Sequence, residues 1–449
     1  MTKQNSPLVL GTEPIGKLLT QYAIPAIIAM TASSLYNMAD SIFIGHGVGA
    51  LAISGLALTF PLMNLAAAFG SLVGVGASTL VAVKLGQKDY EGANKVLGNV
   101  LILNVVLGVA FTIAFLFLLD PVLYFFGASE NTISYARDYM RIILYGNVVT
   151  HMYLGLNAVL RSSGFPKMAM YATLASVVIN CALNPLFIFG FGWGIKGSAW
   201  ATVISQVISL TGQLIHFSRP KQLLHFKKGI YRLRSEIVKG ILSIGLSPFL
   251  MNLCSCLIVI LINRGLKEHG GDMAIGAYGI VNRIAFLFVM IIMGFNQGMQ
   301  PIAGYNYGAR LYSRVTDVTR LTMRWAVGVA TLGFLLCQLV PSWIVRMFTS
   351  DGELISAASY GLHIVFAVFP IVGFQMVETN FFLSIGMSKI AIFPSLTRQM
   401  LFLIPCLILL PPLFGTLGVW ISMPIADTVA AIVTAIVLVK QFKQFKYGT

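Results

Sequence analysis

Charge is scarce in this sequence. Only 10% of its residues are Asp, Glu, Lys or Arg, against 57% hydrophobic, and the mean hydropathy is +0.84. A soluble chain of this length needs far more charge to cover its surface. Cysteine is scarce too. Cys181, Cys254, Cys256, Cys337 and Cys406 all lie in apolar stretches. Cys254 and Cys256, two apart, would point to different faces of a helix. No disulfide or metal framework is visible, and the five read as small buried hydrophobes. His46, His151 and His363 are scattered, with no nucleophile motif or metal-ligand spacing near them, which argues against a membrane enzyme. No small-x-small site follows a short apolar region in the first 17 residues, so the N-terminus is expected to be retained.

What remains is apolar sequence in long runs. Each is about 20 residues or more, enough for the roughly 30 Å hydrocarbon core of a bilayer. Hydropathy predicts twelve spans: 18–45, 51–82, 93–119, 134–157, 167–190, 196–216, 238–262, 274–300, 316–343, 355–382, 390–413 and 416–440. A spanning barrel would show short alternating segments instead. The fold class is therefore an all-α integral membrane protein.

The net charge of +15 invites a nucleic-acid reading, but its placement argues against one. Lys84, Lys88 and Lys95, then Arg161 and Lys167, then Arg310, Arg314, Arg320 and Arg324 fall in alternate connections, as do Lys440, Lys443 and Lys446. The opposite connections hold few, among them Lys196, Lys267 and Arg346. This is the positive-inside pattern, and it predicts that both termini are cytoplasmic; the expected location is a plasma membrane of the bacterial inner-membrane type. The basic segment 217–237 then reads as a cytoplasmic linker near anionic headgroups, between an N-lobe at 1–216 and a C-lobe at 238–449.

The chain repeats itself. "GFPKMAM" at 164–170 matches "GMSKIAI" at 386–392, "FFGASENTISYARDYMRI" at 125–142 matches "MFTSDGELISAASYGLHI" at 347–364, and "GASTLVAVKLGQKDY" at 76–90 matches "GMQPIAGYNYGARLY" at 298–312. The offsets 386 − 164, 348 − 126 and 308 − 86 all equal 222. Two homologous halves of six spans enter the membrane in the same direction, as parallel repeats. Transporters built this way place the substrate path between halves and alternate access by rocking.

Ionisable residues within spans are costly and mark function by default. Asp40, Glu378 and Asp427 qualify. Ser33, Tyr36, Asn37 and Asp40 share one face of span one; Ser176, Asn180 and Asn184 share one of span five; Ser198, Thr202 and Ser205 share one of span six. At 1.5 Å per residue, Asp40, Asn184 and Thr202 all lie roughly 8–9 Å below the outer boundary, which predicts one polar pocket. It could hold a proton on Asp40, or a hard cation among the oxygens of Asp40, Asn180, Asn184 and Thr202, with Tyr36, Asn37 and Ser205 in support. The amides and hydroxyls could also simply hydrogen-bond helices together. A carboxylate is an expensive way to do that.

The second half does not copy this pocket, since Phe402 and Cys406 stand where the first half has Asn180 and Asn184. It offers Asp427 near mid-membrane and Glu378 toward the cytoplasm, close enough to be solvated. Tyr278, Asn282 and Phe286 follow at i, i+4 and i+8 on span eight, with Met290 beyond. Aromatic rings, adaptable methionines and a carboxylate suit bulky organic cations, and ordinary core packing is the competing reading for the rings and methionines.

"LYNMADSIFIG", "GVGASTLVAVKLGQKDYEGANK", "RSSGFPKMAMYATLASVVINCALNPLFIFGFGWGIKGSAWAT" and "GFNQGMQPIAGYNYGAR" resemble the multidrug and toxic compound extrusion (MATE) family over residues 15–440. The resemblance implies twelve helices in two lobes. It implies no cofactor and no enzyme, but efflux of amphipathic or cationic small molecules in exchange for H⁺ or Na⁺. It also implies a coupling-ion site at Asp40, Asn180, Asn184 and Thr202, the pocket reached above. Family members that carry Asp where this chain has Asn184 have a second carboxylate there. The chain is expected to act as a monomer within the lipid bilayer, without nucleic acid. The alternative is a flippase for a lipid-linked oligosaccharide, whose cavity should carry cations for pyrophosphate.

Overall fold

The computed structural model describes residues 7–126, 128–348 and 350–447, and among them it contains helices and no strand. Six helical spans make the first repeat: α1 Ile15–Gly47, α2 Ala50–Gly86, α3 Tyr90–Phe117, α4 (Ile133–Tyr145 with Asn147–Ser162), α5 Pro166–Gly190 and α6 Gly194–Phe217. The second repeat holds α7 Ser235–Gly271, α8 Met273–Gly308, α9 Tyr312–Leu339, α10 (Gly352–Phe366 with Phe369–Ser384), α11 Ile390–Phe414 and α12 Thr416–Tyr447. Each predicted span falls on one of them. Among the described residues, nine single helices and the two bent pairs are long and apolar enough to cross a bilayer. The twelfth, α6, is diluted by its own buried polar face of Ser198, Thr202, Ser205, Ser209 and Gln213.

The repeat read from sequence is written into the backbone. The only non-glycine residues with positive φ among those described are Lys88 (62°) and Arg310 (60°), and 310 − 88 is 222. Each closes a helix with the same two bonds. Lys88 N–H donates to Leu85 and Asp89 N–H to Lys84, while Arg310 N–H donates to Tyr307 and Leu311 N–H to Asn306. This left-handed closure satisfies carbonyls at the helix ends that have no partner within the helix. Gly49 and Gly271, and Gly164 and Gly386, repeat their positive φ at the same offset. The helix breaks repeat too, with α4 bent by 55° and α10 by 52°.

The chain packs as two compact units. One holds Ile28–Phe249 and the described residues before Glu13; the other holds Glu13–Ile27 and Leu250 onward. Because 235 − 13 and 249 − 27 both equal 222, the exchange is reciprocal: each unit contains the opening segment of the other repeat's first helix. Close backbone approach secures both. A Cβ on Gly76 would strike the Ile241 carbonyl, and one on Gly245 would strike the Leu72 carbonyl. In the second unit Gly298, the counterpart of Gly76, would meet Ala23 N at 2.7 Å. Small residues at such crossings let membrane helices pack backbone to backbone. Pro25 lies inside α1 just before the division, where it removes a helical hydrogen bond.

Candidate functional site

The first unit brings the predicted polar residues together. Helical steps of four point Asp40 and Tyr36 of α1, Asn180 and Asn184 of α5, and Ser198 and Thr202 of α6 inward. Asp40 is 5% exposed, and Asn184 and Ser198 are 0% exposed. Two donors converge on one carboxylate oxygen: Asn184 Nδ2 donates to Asp40 Oδ1 at 2.9 Å, and Ser198 Oγ donates to the same atom. Asn184 Nδ2 spends its other hydrogen on Asn180 Oδ1 at 2.7 Å, and Asn180 Nδ2 donates to Thr202 Oγ1 at 3.1 Å.

Proton bookkeeping fixes the far end of this chain. Thr202 donates its hydroxyl hydrogen to the Ser198 carbonyl at 3.2 Å, so at 2.9 Å the Tyr36 hydroxyl is the donor and Thr202 Oγ1 the acceptor. Ser205 donates to the Thr202 carbonyl at 2.8 Å and accepts from Ser176 at 3.4 Å. Asn184 is thus the branch point: one hydrogen goes to Asp40, and the other starts a line of donors that runs away from it through Asn180 and Thr202 to the Ser198 carbonyl. One buried acceptor is left over, since Asn184 Oδ1 has no partner. A buried oxygen without a donor is costly and is satisfied by a cation or a proton-bearing group. The available set is all oxygen, one of it anionic, which suits a hard cation. Among the described residues no group of three His, Cys, Asp or Glu could hold a transition metal.

Beside the network lies a cavity of 180 Å³, lined on one side by Ser33, Tyr36, Ser176, Thr202, Ser205 and Gln206. Pockets for drug-sized ligands run to about 300–1,000 Å³, so this one is sized for a small ion with water. Tyr36 and Thr202 stand on its wall and in the hydrogen-bonded line, so they lie between the cavity and Asp40. The side chain of Asn37, also expected here, lies outside the described residues.

The second-half candidates are not gathered in this way. Among the described residues no hydrogen bond or ion pair joins Glu378, Asp427 and the Tyr278 stripe. Tyr278 is half-buried, 6.2 Å from the Trp420 ring, while Asn282 and Phe286 are exposed and Met290 is half-buried. Glu378 corrects the expectation of a solvated carboxyl: it is 0% exposed and neither oxygen has a hydrogen-bond partner. The hydroxyl that faces it, Thr434, gives its hydrogen to the Ala431 carbonyl. Asp427 is held by Arg398, whose Nε donates to Oδ1 at 2.5 Å.

Two participants were not among the expected site residues. Ser198 was legible as part of the α6 stripe, though not as a direct partner of Asp40. Arg398 stands alone as a cation inside an apolar run, and only the 222-residue offset could have signalled its place.

The MatE family profile matches residues 25–186 and 244–409. The chain is 29% identical over 421 residues to the multidrug export protein MepA of Staphylococcus haemolyticus, covering 93% of this chain and 92% of that protein. It is 27% identical over 429 residues to MepA of Staphylococcus aureus strain N315, covering 95% and 94%. Among solved structures, an outward-facing multidrug resistance MATE family transporter of the MOP superfamily superposes with a TM-score of 0.92 at 25% identity, covering 100% of this chain and 99% of that one. A MATE described in the bent conformation gives 0.94 at 25% identity, covering 99% of each.

Proposed function

The chain belongs to the MatE family, and from that premise we propose that it is a secondary active antiporter that exports amphipathic and cationic drugs in exchange for H⁺ or Na⁺. The observation that carries this reading is the buried Asp40 carboxylate, met by two neutral donors and by no cation among the described residues. A lone buried carboxylate is tolerable only if something neutralises it.

The coupling ion enters through the small cavity, passes Tyr36 and Thr202, and settles among Asp40, Asn180, Asn184 and Thr202. A proton would sit on Asp40. Sodium would add the unpaired Asn184 Oδ1 and the Thr202 oxygen. Either ion relieves the cost of the bare carboxylate and favours the conformation that releases drug. It can drive transport only because it binds the two conformations differently, at about 1.4 kcal/mol per tenfold difference.

The substrate class rests on relatives named multidrug export proteins that align over 93% and 95% of this chain. The second half, with Glu378, Asp427 and the Tyr278–Met290 stripe, supplies drug selectivity. Access alternates by rocking of the two units, each carrying the opening segment of the other repeat's first helix, with both termini on the cytoplasmic face of the plasma membrane.

Purified protein in inverted vesicles tests this, with ethidium movement followed under imposed Na⁺ and H⁺ gradients. The reading expects uptake driven by one gradient and collapsed when that gradient is dissipated. Movement indifferent to both gradients, or transport of a lipid-linked sugar in place of ethidium, contradicts it.

A further inference from the structure

Along one face of α9, Arg320, Arg324, Gly328 and Leu332 follow one another every four residues, a single ladder on the helix. With Leu335 and with Phe374 of α10 they line an open groove of 690 Å³ within the second unit. This lies outside the coupling-ion network and outside the residues assigned to drug selectivity.

The groove has two chemically distinct ends. At one end the Arg320 guanidinium lies 5.9 Å from the centroid of the Phe442 ring of α12, and Arg324 follows one turn further in. Both are exposed. Neither groove arginine is among the ion-paired arginines Arg137, Arg264 and Arg398 of the described residues. Past Arg324 the lining becomes apolar through Val327, Leu332 and Leu335. From Arg324 to Leu335 the helix rises about 16 Å. That is close to half of the roughly 30 Å hydrocarbon core, the depth of one leaflet. In the middle of the lane a Cβ on Gly328 would meet nothing within 4 Å, so the floor is open.

An apolar lane alone is ordinary for a surface that faces lipid. Two exposed guanidiniums at its mouth are a recognition element for an anion at the membrane interface. We propose that this groove binds an anionic phospholipid of the leaflet at the basic end of α9. Its phosphate is held by Arg320 and Arg324, and one acyl chain lies across Gly328 toward Leu335. The planar guanidinium offers paired N–H donors to phosphate oxygens. The Phe442 ring, 5.9 Å away, attracts the Arg320 guanidinium without taking up its N–H donors.

The test uses the purified full chain in detergent, titrated separately with phosphatidylglycerol and with phosphatidylcholine of the same acyl chains. Retained lipid is counted by native mass spectrometry. Phosphatidylglycerol should be retained at least tenfold better than phosphatidylcholine. The Arg320→Gln/Arg324→Gln protein should lose that preference. Gly328→Phe, which fills the lane and keeps both arginines, should lower phosphatidylglycerol retention at least fivefold. Thermal unfolding in lipid-free detergent confirms that each variant is folded, and if the double variant is not, Gly328→Phe decides alone. Equal retention of both lipids by the unsubstituted protein overturns the proposal. So does wild-type retention by Gly328→Phe, or displacement of the lipid by millimolar inorganic phosphate, which would reveal a free-anion site.

Discussion

Arg398 pairs with Asp427 where, 222 residues earlier, Ser176 meets Ser205. The offsets 398 − 176 and 427 − 205 are equal, and both pairs join the fifth and sixth helices of a repeat. The first repeat fills this place with hydroxyls that border a small cavity and lead toward Asp40. The second fills it with a carboxylate and its own tethered cation. That difference separates a site open to an exchangeable ion from one whose charge is already compensated.

Removing one partner of that pair should therefore cost more than removing both. Arg398→Gln strands Asp427, which is 5% exposed, and should destabilise the protein by at most about 3 kcal/mol, since Arg398 itself is partly exposed. Arg398→Gln/Asp427→Asn should recover at least half of the loss. Thermal midpoints in detergent measure both, and a double variant as unstable as the single one would refute the compensation.

Ser198 is expected to oppose ion binding. Its hydroxyl supports the bare Asp40 carboxylate, and hydrogen bonds to charged groups contribute about 1.5–3 kcal/mol. Ser198→Ala should therefore lower the ion concentration for half-maximal efflux by about tenfold, with slower ion release. An unchanged half-saturation would show that Ser198 acts on packing alone.

Glu378 is buried with both oxygens unbonded, a costly setting for a charge. Glu378→Gln should leave the thermal midpoint unchanged or raise it, while altering the ratio of cationic to neutral drugs exported. A marked loss of stability, equivalent to about 2 kcal/mol or more, would mean that a donor holds the Glu378 carboxylate in the folded protein.

The exchanged helix segments rest on glycine contacts. Gly245→Ala pushes a methyl into the Leu72 carbonyl and should cost about 1–3 kcal/mol as overpacking. Gly279→Ala, where nothing lies within 4 Å, is the matched control. Equal midpoints for the two would rule out a close-packed crossing.

Much of this molecule was legible in the sequence because its signals are periodic. Twelve apolar runs, one offset of 222 and three polar stripes at one depth were enough to place Asp40, Asn180, Asn184 and Thr202 in one pocket. The structure shows these four joined by hydrogen bonds. What periodicity could not carry was partner choice. A stripe does not say that Ser198 rather than Thr202 reaches Asp40, because that depends on the relative height of two helices by about one turn. Hydropathy did not show that Glu378 is sealed from water, since burial there is set by neighbouring helices rather than by depth. Nor does any local pattern reveal that 13–27 and 235–249 are exchanged between units, because that choice is made by glycines on α2, α7 and α8 distant in sequence.

The central claim is that the Asp40 charge must change during each cycle, and one comparison tests it most directly. Ethidium accumulation is followed in inverted vesicles carrying the unsubstituted protein or Asp40→Asn, under the gradient that drives the former. The amide imitates the neutralised carboxyl, so the variant should fold and bind ethidium within about threefold of the original, while gradient-driven accumulation falls to background. An Asp40→Asn protein that still pumps at the original rate with the same ion dependence would make Asp40 a structural residue and contradict the account.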